Sequence, residues 1–218
     1  MIIQVILILY LIQNGQLIIR IMALNLTISP QSGSGNANVS VAGNANTGRN
    51  SRSKSITIQG AGVAAKTVTI NQLGKSEFIT IGEAMTVAAS ATSLTIKGKS
   101  NAESLSVTIP VDKIGLAGHT KYYVSNTSYN SGSDINGDPG ASEQYDWEVR
   151  LTFEKNTTIE ARQATIEVTT KNGESATITI TQSAGDAYLN VDPTTLQMTA
   201  DGTAVSFYID SNTSWSIS

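Results

Sequence analysis

One strand–turn–strand unit occurs twice in this chain, and it limits the possible fold more than any other feature. At an offset of 110 residues (162 − 52), residues 52–72 align without a gap with residues 162–182; they read RSKSITIQGAGVAAKTVTINQ and RQATIEVTTKNGESATITITQ. In both copies apolar and polar residues alternate on each side of a glycine-containing turn, which predicts an antiparallel hairpin with one apolar face. A hairpin cannot bury that face alone, so each copy predicts further strands around it.

The composition agrees with a β protein whose surface is rich in Ser and Thr. Of the 218 residues, 40% are apolar and only 14% are charged. Thr and Ser suit the outward face of strands. The fold class predicted is all-β, with tandem immunoglobulin-like β-sandwich modules. A net charge of −3 gives no electrostatic signature of nucleic-acid binding, and the absence of cysteine excludes disulfides and thiolate metal sites.

A second repeated element divides the chain further. Residues 85–109 resemble residues 188–211, and each reads as a short strand, a polar turn, a glycine-bearing turn and an alternating strand. Only the central part of the chain holds both repeated elements. The predicted division is an apolar segment at 1–23, a partial module at 24–77, a complete module at 78–185 with an insertion at 112–146, and a partial module at 186–218.

Both elements together resemble one known family. The resemblance is carried by LTISPQSGSGNANVSVAGNANTGRNSRSKSITIQ with KTVTINQ, and by LNVDPTTLQMTADGTAVSFYIDSNTSWSIS. These motifs are similar to the BACON domain, a bacterial immunoglobulin-like module of gut Bacteroidetes and their phages. Residues 24–76 resemble the second half of such a module, and residues 187–218 resemble its first half. The resemblance implies a seven-stranded sandwich on carbohydrate-active or surface proteins, with carbohydrate or mucin as the ligand.

The apolar N-terminal segment has a hairpin signal of its own. Asn14-Gly15 lies between two apolar runs, and Asn-Gly is a strong signal for a tight hairpin turn. This interpretation places Gln13 opposite Gln16 and Ile12 opposite Leu17.

Other interpretations of the same segment stay open. Translation from Met22, with the residues from Met1 onward read in frame upstream, explains the abrupt change of composition equally well. A signal peptide fits less well, because no Lys or Arg precedes Arg20. The uninterrupted apolar run at 5–12 is too short to cross a bilayer, so no stable membrane span is predicted.

The two partial modules have complementary contents. The strands that the first lacks are those that the last supplies, so strand complementation within or between molecules would complete both. Between molecules this predicts head-to-tail self-association. The alternative, which we favour at this stage, is that the chain is a fragment of a longer tandem array.

The insertion contains the candidate ligand-binding residues. Aromatic rings surrounded by Gly, Asn and Ser are suited to stacking on sugar rings and bonding their hydroxyls. The candidates are Tyr122, Tyr123, Tyr129 and Tyr145, and we expect them to lie on an exposed loop. Trp147 falls in an alternating strand with three further apolar residues, which indicates a core position instead.

The same insertion contains a weak calcium signal. Asp134, Asn136 and Asp138 have the alternate spacing with which a calcium-binding loop begins. The twelfth position is Tyr145, where such a loop has Glu. A loop stabilised by Asx turns is the alternative interpretation.

No motif predicts catalysis. His119 is the only histidine, so a multi-histidine zinc site cannot form, and no serine-nucleophile motif is present. Arg52 and Arg162, which occupy equivalent positions in the two hairpins, are interpreted as structural. We therefore expect a protein that is not an enzyme.

Two functions are compatible with these features. The first is an adhesion or binding protein that recognises carbohydrate or mucin at the surface of a gut bacterium or phage. The second is a structural spacer, or a decoration or fibre component of a virion, without a ligand of its own. Both predict an extracellular, cell-surface or virion location.

Overall fold

The computed structural model describes residues 23–109 and 121–218, together with the backbone of residues 12–13 and 16–17. Apart from a single 3-10 turn at Pro139–Ala141, the regular structure of this part is β, which confirms the predicted class. The strands are β1 (Ile12–Gln13), β2 (Gln16–Leu17), β3 (Leu26–Ser29), β4 (Ser40–Gly43), β5 (Arg52–Gly60), β6 (Val63–Gln72), β7 (Ile79–Ile81), β8 (Met85–Val87), β9 (Ser93–Ser100), β10 (Leu105–Thr108), β11 (Lys121–Val124), β12 (Thr127–Asn130), β13 (Tyr145–Thr152), β14 (Arg162–Thr170), β15 (Ser175–Gln182), β16 (Leu189–Asp192) and β17 (Tyr208–Ser211).

Strands β7 to β15 form a sandwich of two sheets, which we call the central sandwich. One sheet has the order β12-β11-β13-β9-β7, and the other has the order β10-β14-β15-β8. Neighbouring strands are antiparallel except β15 and β8, which are parallel. The apolar faces of the two sheets enclose one core.

The core follows directly from the alternation of the strand sequences. In β13 the buried residues are Tyr145, Trp147, Val149 and Leu151, and the residues between them point outward. The predicted core position of Trp147 is therefore confirmed. Each side chain of this size contributes about 1.5–3 kcal/mol when it is fully buried.

A glycine lets the tryptophan lie flat against the neighbouring strand. Gly98 is directly opposite Trp147. A Cβ atom at Gly98 would come within 2.4 Å of the indole ring and 2.0 Å of the carbonyl oxygen of Thr80. Any larger residue at this position would displace the indole or separate β9 from β7.

The two copies of the repeated hairpin have the same backbone register over residues 52–58 and 162–168. In β5–β6 Arg52 is opposite Gln72, and in β14–β15 Arg162 is opposite Gln182. The hairpin prediction is therefore confirmed for both copies. The first copy differs in its neighbours, because β5–β6 and β3–β4 each form a separate two-stranded sheet.

Two segments flank the central sandwich. We call residues 24–73, with strands β3 to β6, the N-terminal half-module. Residues 188–218, with strands β16 and β17, are the C-terminal half-module. Before the first of them, β1 and β2 pair with Ile12 opposite Leu17 and Gln13 opposite Gln16, the register predicted from Asn14-Gly15. The rest of the apolar segment and the Met22 start lie outside the described residues.

Candidate functional site

Two of the predicted ligand-binding tyrosines lie in the core. Tyr122 has no solvent exposure, and its hydroxyl donates to the carbonyl oxygen of Ser133 at 2.6 Å. Tyr145 is also buried and donates to the carbonyl oxygen of Ala102 at 2.8 Å. The expectation that they are exposed is therefore wrong. Sequence reasoning failed because a buried tyrosine needs only one partner for its hydroxyl, and loop carbonyls supplied it.

Burial also changes the acidity of these phenols. It raises the pKa of Tyr122 to about 12 and also raises the pKa of Tyr145. A buried phenolate would lose its hydration, so the neutral, hydrogen-donating form is favoured. Both tyrosines therefore act as core residues with an anchored hydroxyl.

Tyr129 lies against this core at the edge of the sheet. It is directly opposite Tyr122 on the neighbouring strand, and the two ring centroids are 5.6 Å apart with 26° between the planes. The ring is only partly exposed. The first part of the insertion that the structure describes is therefore sheet rather than loop, since β11 and β12 pair as a hairpin. Residues 110–120, including His119, lie outside the described residues.

Tyr123 is the predicted tyrosine that points away from the core. The guanidinium of Arg150 lies over its ring, with Cζ 4.0 Å from the ring centroid. Arg150 also donates to Glu148 Oε1 from Nε at 2.7 Å and to Asn126 Oδ1 at 3.1 Å. This cation–π contact and the two hydrogen bonds fix the position of both the ring and the guanidinium.

Charged residues continue this arrangement across the outer face of the sheet. Tyr123 is opposite Glu148, which is in turn opposite Lys97. In a neighbouring row, Lys99 Nζ donates to Asp146 Oδ1 at 2.8 Å. We call this surface the outer face; its residues are Lys97, Lys99, Tyr123, Asp146, Glu148 and Arg150.

Five of these six residues were missed by sequence reasoning. The signal was present, because every second residue of β13 is buried and those between must face outward. The pairing of β13 with β9 and β11 could not be predicted from local pattern, and this pairing brings the charged residues of β9 and β13 beside Tyr123 of β11. The outer face offers charged donors and acceptors around one aromatic ring.

The two aspartates of the predicted calcium loop pair with different cationic side chains. Asp138 forms an ion pair with Arg49, whereas Asp134 lies 3.5 Å from Lys171 Nζ. Asn136 is exposed. Within residues 23–109 and 121–218, no three His, Cys, Asp or Glu side chains form a group suited to a metal ion. Calcium binding stays a prediction from the sequence.

The recurring arginines bind the ends of their hairpins. Arg52 Nε donates to Gln72 Oε1 at 2.7 Å, and an Nη of Arg162 donates to Gln182 Oε1 at 2.7 Å. Gln182 is fully buried, and its amide donates to the carbonyl oxygens of three loop residues. The structural interpretation of both arginines agrees with these contacts.

The joint between the N-terminal half-module and the central sandwich depends on Asn101. Its Nδ2 donates to the carbonyl oxygen of Ser76, and its Oδ1 accepts from the N–H of Phe78, both at 3.0 Å. Arg49 Nε donates to the carbonyl oxygen of Asn101 at 3.0 Å, and the same arginine pairs with Asp138. These hydrogen bonds and this ion pair attach the N-terminal half-module to the central sandwich in addition to the linker.

The second joint repeats the asparagine arrangement. Asn212 Nδ2 donates to the carbonyl oxygen of Asp186 at 2.8 Å, and Oδ1 accepts from the N–H of Tyr188 at 2.9 Å. Asn212 also donates to the carbonyl oxygen of Thr157 at 3.0 Å. The backbone partners of Asn212, which are Asp186 and Tyr188, lie 110 residues after the partners of Asn101, which are Ser76 and Phe78. The two joints are therefore copies of one structure.

A second asparagine pair holds the loop next to each joint. Asn46 Nδ2 donates to the carbonyl oxygens of Asn50 and Leu73. Asn156 makes the equivalent bonds to Glu160 and Ser183. The repetition therefore extends from the hairpins to the loops between modules.

The comparisons with known proteins agree with the repeated structure. In the parts of the chain that the structure describes, no helix has the length and apolar character needed to cross a membrane. No curated protein matches the chain. The sequence model of the BACON family, described as "Putative binding domain, N-terminal", matches residues 26–73 and 125–183. The first match covers the hairpins of the N-terminal half-module, and the second runs from β12 to the end of β15. With the motifs, the hairpins and both joints repeated in this way, residues 26–73 and 125–183 are two BACON-type copies within this chain.

Proposed function

We propose that this chain is a non-catalytic binding protein that recognises carbohydrate, such as mucin glycans, at the surface of a gut bacterium or a phage particle. The outer face carries this proposal. Its fixed guanidinium, carboxylates and ammonium groups are suited to bonding vicinal hydroxyls, and the Tyr123 ring offers C–H contacts beside them. The description of the family as a binding domain supports the coarser part of the proposal.

The arrangement suits a polar ligand better than an apolar one. Arg150 covers one side of the Tyr123 ring, so the aromatic contact available to a ligand is the remaining ring surface together with the guanidinium. Pre-organised groups lose little entropy on binding. A neutral, hydroxyl-rich ligand also avoids the repulsion that an acidic or basic ligand meets on a face with both signs of charge.

The experiment compares glycan and mucin retention of the unaltered chain with a Tyr123→Ala, Arg150→Ala double variant. We expect at least a tenfold loss of retention for the double variant. Tyr208→Ala is the matched control, because Tyr208 is an exposed tyrosine outside the outer face, and it should bind as the unaltered chain does. Equal retention by all three proteins would reject the outer face as the binding site.

A structural spacer is the second candidate, and the repeated joints favour it. Hydrogen bonds between side chains and backbone hold consecutive modules in a defined relation, as a rod or fibre component requires. The presence of capsid and tail genes beside the coding gene, combined with no retention on any glycan, would favour this function. Retention that depends on Tyr123 and Arg150 would favour binding.

A further inference from the structure

The second part of the insertion forms a fixed turn at one end of the central sandwich. Ile135 is buried in the core, and its N–H donates to the carbonyl oxygen of Glu103 at 3.0 Å. The N–H of Asp138 donates to the carbonyl oxygen of Ile135 at 3.0 Å, and the N–H of Ala141 donates to that of Asp138 at 2.9 Å. We call residues 138–142 the docking turn. Its position is set by the core and by its own hydrogen bonds.

A loop of the N-terminal half-module lies directly on the docking turn. The N–H of Arg49 donates to the carbonyl oxygen of Gly140 at 3.0 Å. The hydroxyl of Thr47 donates to the carbonyl oxygen of Ser142 at 2.8 Å. Two residues of the loop thus bond to the backbone of the insertion, which is distant in sequence and reached only through the fold.

The loop and the turn approach each other too closely for a side chain between them. A Cβ atom at Gly48 would lie 2.1 Å from the carbonyl oxygen of Ala141, and one at Gly140 would lie 2.0 Å from that of Asn101. Neither glycine has a positive φ. Close packing of the two modules, rather than a special backbone conformation, therefore requires glycine at both positions.

Arg49 lies between carboxylates from both sides of the joint. It pairs with Asp138 of the docking turn, and its Nε is 3.5 Å from Glu77 Oε1 in the linker. The side chains of Arg49 and Glu77 are only 14% and 4% exposed. Glu77 Oε2 also accepts from the N–H of Asn172, in the turn between β14 and β15, at 3.2 Å. Since removal of one partner would leave a buried charge unpaired, these ion pairs oppose opening of the joint.

The segment beneath the docking turn is itself tightly bonded. Ser100, Asn101 and Ala102 have no solvent exposure. Ser100 Oγ donates to the carbonyl oxygen of Phe78 at 2.8 Å and accepts from the N–H of Ala102 at 3.0 Å. The end of β9, the linker and the docking turn therefore form one hydrogen-bonded unit.

The second joint has the same asparagine arrangement without these charges. Residues 110 positions after Arg49 and Glu77 are Ile159 and Ala187. Ile159 is 46% exposed. The asparagine bonds are thus the general connection between modules, and the ion pairs around Arg49 are an addition at the first joint.

We infer that the docking turn fixes the direction of the N-terminal half-module relative to the central sandwich, so that the first joint is rigid. Arg49 is the central residue of this device, and Gly48 and Gly140 allow the close approach. The second part of the insertion therefore holds a neighbouring module instead of contacting a ligand. This role is independent of carbohydrate recognition by the outer face.

The first experiment measures amide hydrogen exchange of the full chain by nuclear magnetic resonance. The Arg49 N–H reports directly on docking. Gly48→Ala places a methyl group against Ala141 and should make this amide exchange at least about ten times faster. The amides of β5, β6 and β13 should exchange as before, because the change is confined to the joint.

Gly33→Ala is the matched control, since Gly33 belongs to the same half-module, has no positive φ and has no atom within 4 Å of an added Cβ. Its Arg49 amide should exchange as in the unaltered chain. An unprotected Arg49 amide in the unaltered chain, or equal exchange of this amide in all three proteins, would overturn the inference.

The second experiment measures the rigidity itself by electron-spin distance measurements. Spin labels are attached at Thr67→Cys and Thr95→Cys, which are exposed positions on the two sides of the joint, and the chain has no native cysteine. We expect one narrow distance distribution. Arg49→Met removes the charge but keeps an unbranched side chain, and should make the distribution at least about twice as wide.

Asp138→Asn is a second variant that avoids backbone strain, because Asp138 has a φ of 35° and asparagine tolerates the left-handed region. It should widen the distribution as well. Ile159→Met, at the equivalent position of the second joint, is the control and should leave the width unchanged. A broad distribution in the unaltered chain, or an unchanged width in both Arg49→Met and Asp138→Asn, would contradict a rigid joint.

Discussion

The two copies of the hairpin pair in the same register away from the turn but have opposite surroundings. In β14–β15 the inward residues Ile166, Val168, Ile178 and Ile180 are buried. In β5–β6 every residue is at least partly exposed to solvent. The Arg–Gln bond and the register up to Ile58 and Val168 are common to both, whereas the pairing shifts by one residue beside the turn of the first copy only. The comparison shows that about twenty residues suffice to specify a hairpin, but that its contribution to stability depends on what packs against it.

The largest expected difference is in the response to a truncated core residue. Ile166→Ala leaves a cavity in a closed core and should lower the free energy of unfolding by about 2–5 kcal/mol. Ile56→Ala, the same change in the first copy, should cost less than about 1.5 kcal/mol, because its side chain is partly exposed. Urea unfolding of both variants at low protein concentration measures the two costs. Equal costs would mean that the first copy is buried in solution.

Alkaline pH should destabilise the central sandwich through Tyr122. Tyr122 has a folded-state pKa of about 12 and an unfolded-state pKa near 10. The folded state disfavours the charged phenolate, so its stability is complete below about pH 10 and falls as the pH rises toward 12. The loss approaches about 2–3 kcal/mol for this one group.

Tyr122→Phe separates this effect from other alkaline changes. The variant should be less stable at neutral pH, since the hydrogen bond to Ser133 is lost. It should also lose less stability between pH 9 and 12 than the unaltered chain. Thermal unfolding followed by circular dichroism at several pH values gives both quantities. Identical pH dependence in the two proteins would exclude Tyr122 as the source.

Replacing the loop asparagines Asn156 and Asn46 should lower the stability by an intermediate amount that differs between the two copies. Asn156 is buried, and Asn156→Ala removes the amide donor of two carbonyl groups, at a cost of about 1–3 kcal/mol. Asn46→Ala removes equivalent bonds in a more exposed loop and should cost about half as much. Chemical unfolding is the measurement, and a larger cost for Asn46→Ala would reverse the expected order.

The smallest effect should be the same in both copies. Ser55 and Thr69 share a hydrogen bond across β5–β6 at 3.1 Å, and Thr165 and Thr179 share one across β14–β15 at 3.2 Å. Both pairs are on the outward face. Ser55→Ala and Thr165→Ala should each cost less than about 1 kcal/mol. A clearly greater cost in only one copy would show that its outward face is covered.

Sequence reasoning was most successful where local pattern decides the outcome. The alternation around Trp147 placed it in the core, and the repeated segment located both hairpins. It failed for Tyr122 and Tyr145, because composition suggested a loop while pairing between β11, β12 and β13 produced a sheet. The outer face escaped notice for the same reason, since Lys97, Glu148 and Tyr123 are distant in sequence and meet only through strand pairing.

By itself the sequence determined the all-β class, the two hairpins and their register, because alternation and turn chemistry act over a few neighbouring residues. Only the tertiary structure decided which copy is buried. Burial of β14–β15 requires β8 and β10 beside it and a second sheet across from it, and these contacts join residues far apart in the chain. The same nonlocal contacts placed the tyrosines and grouped the charges of the outer face.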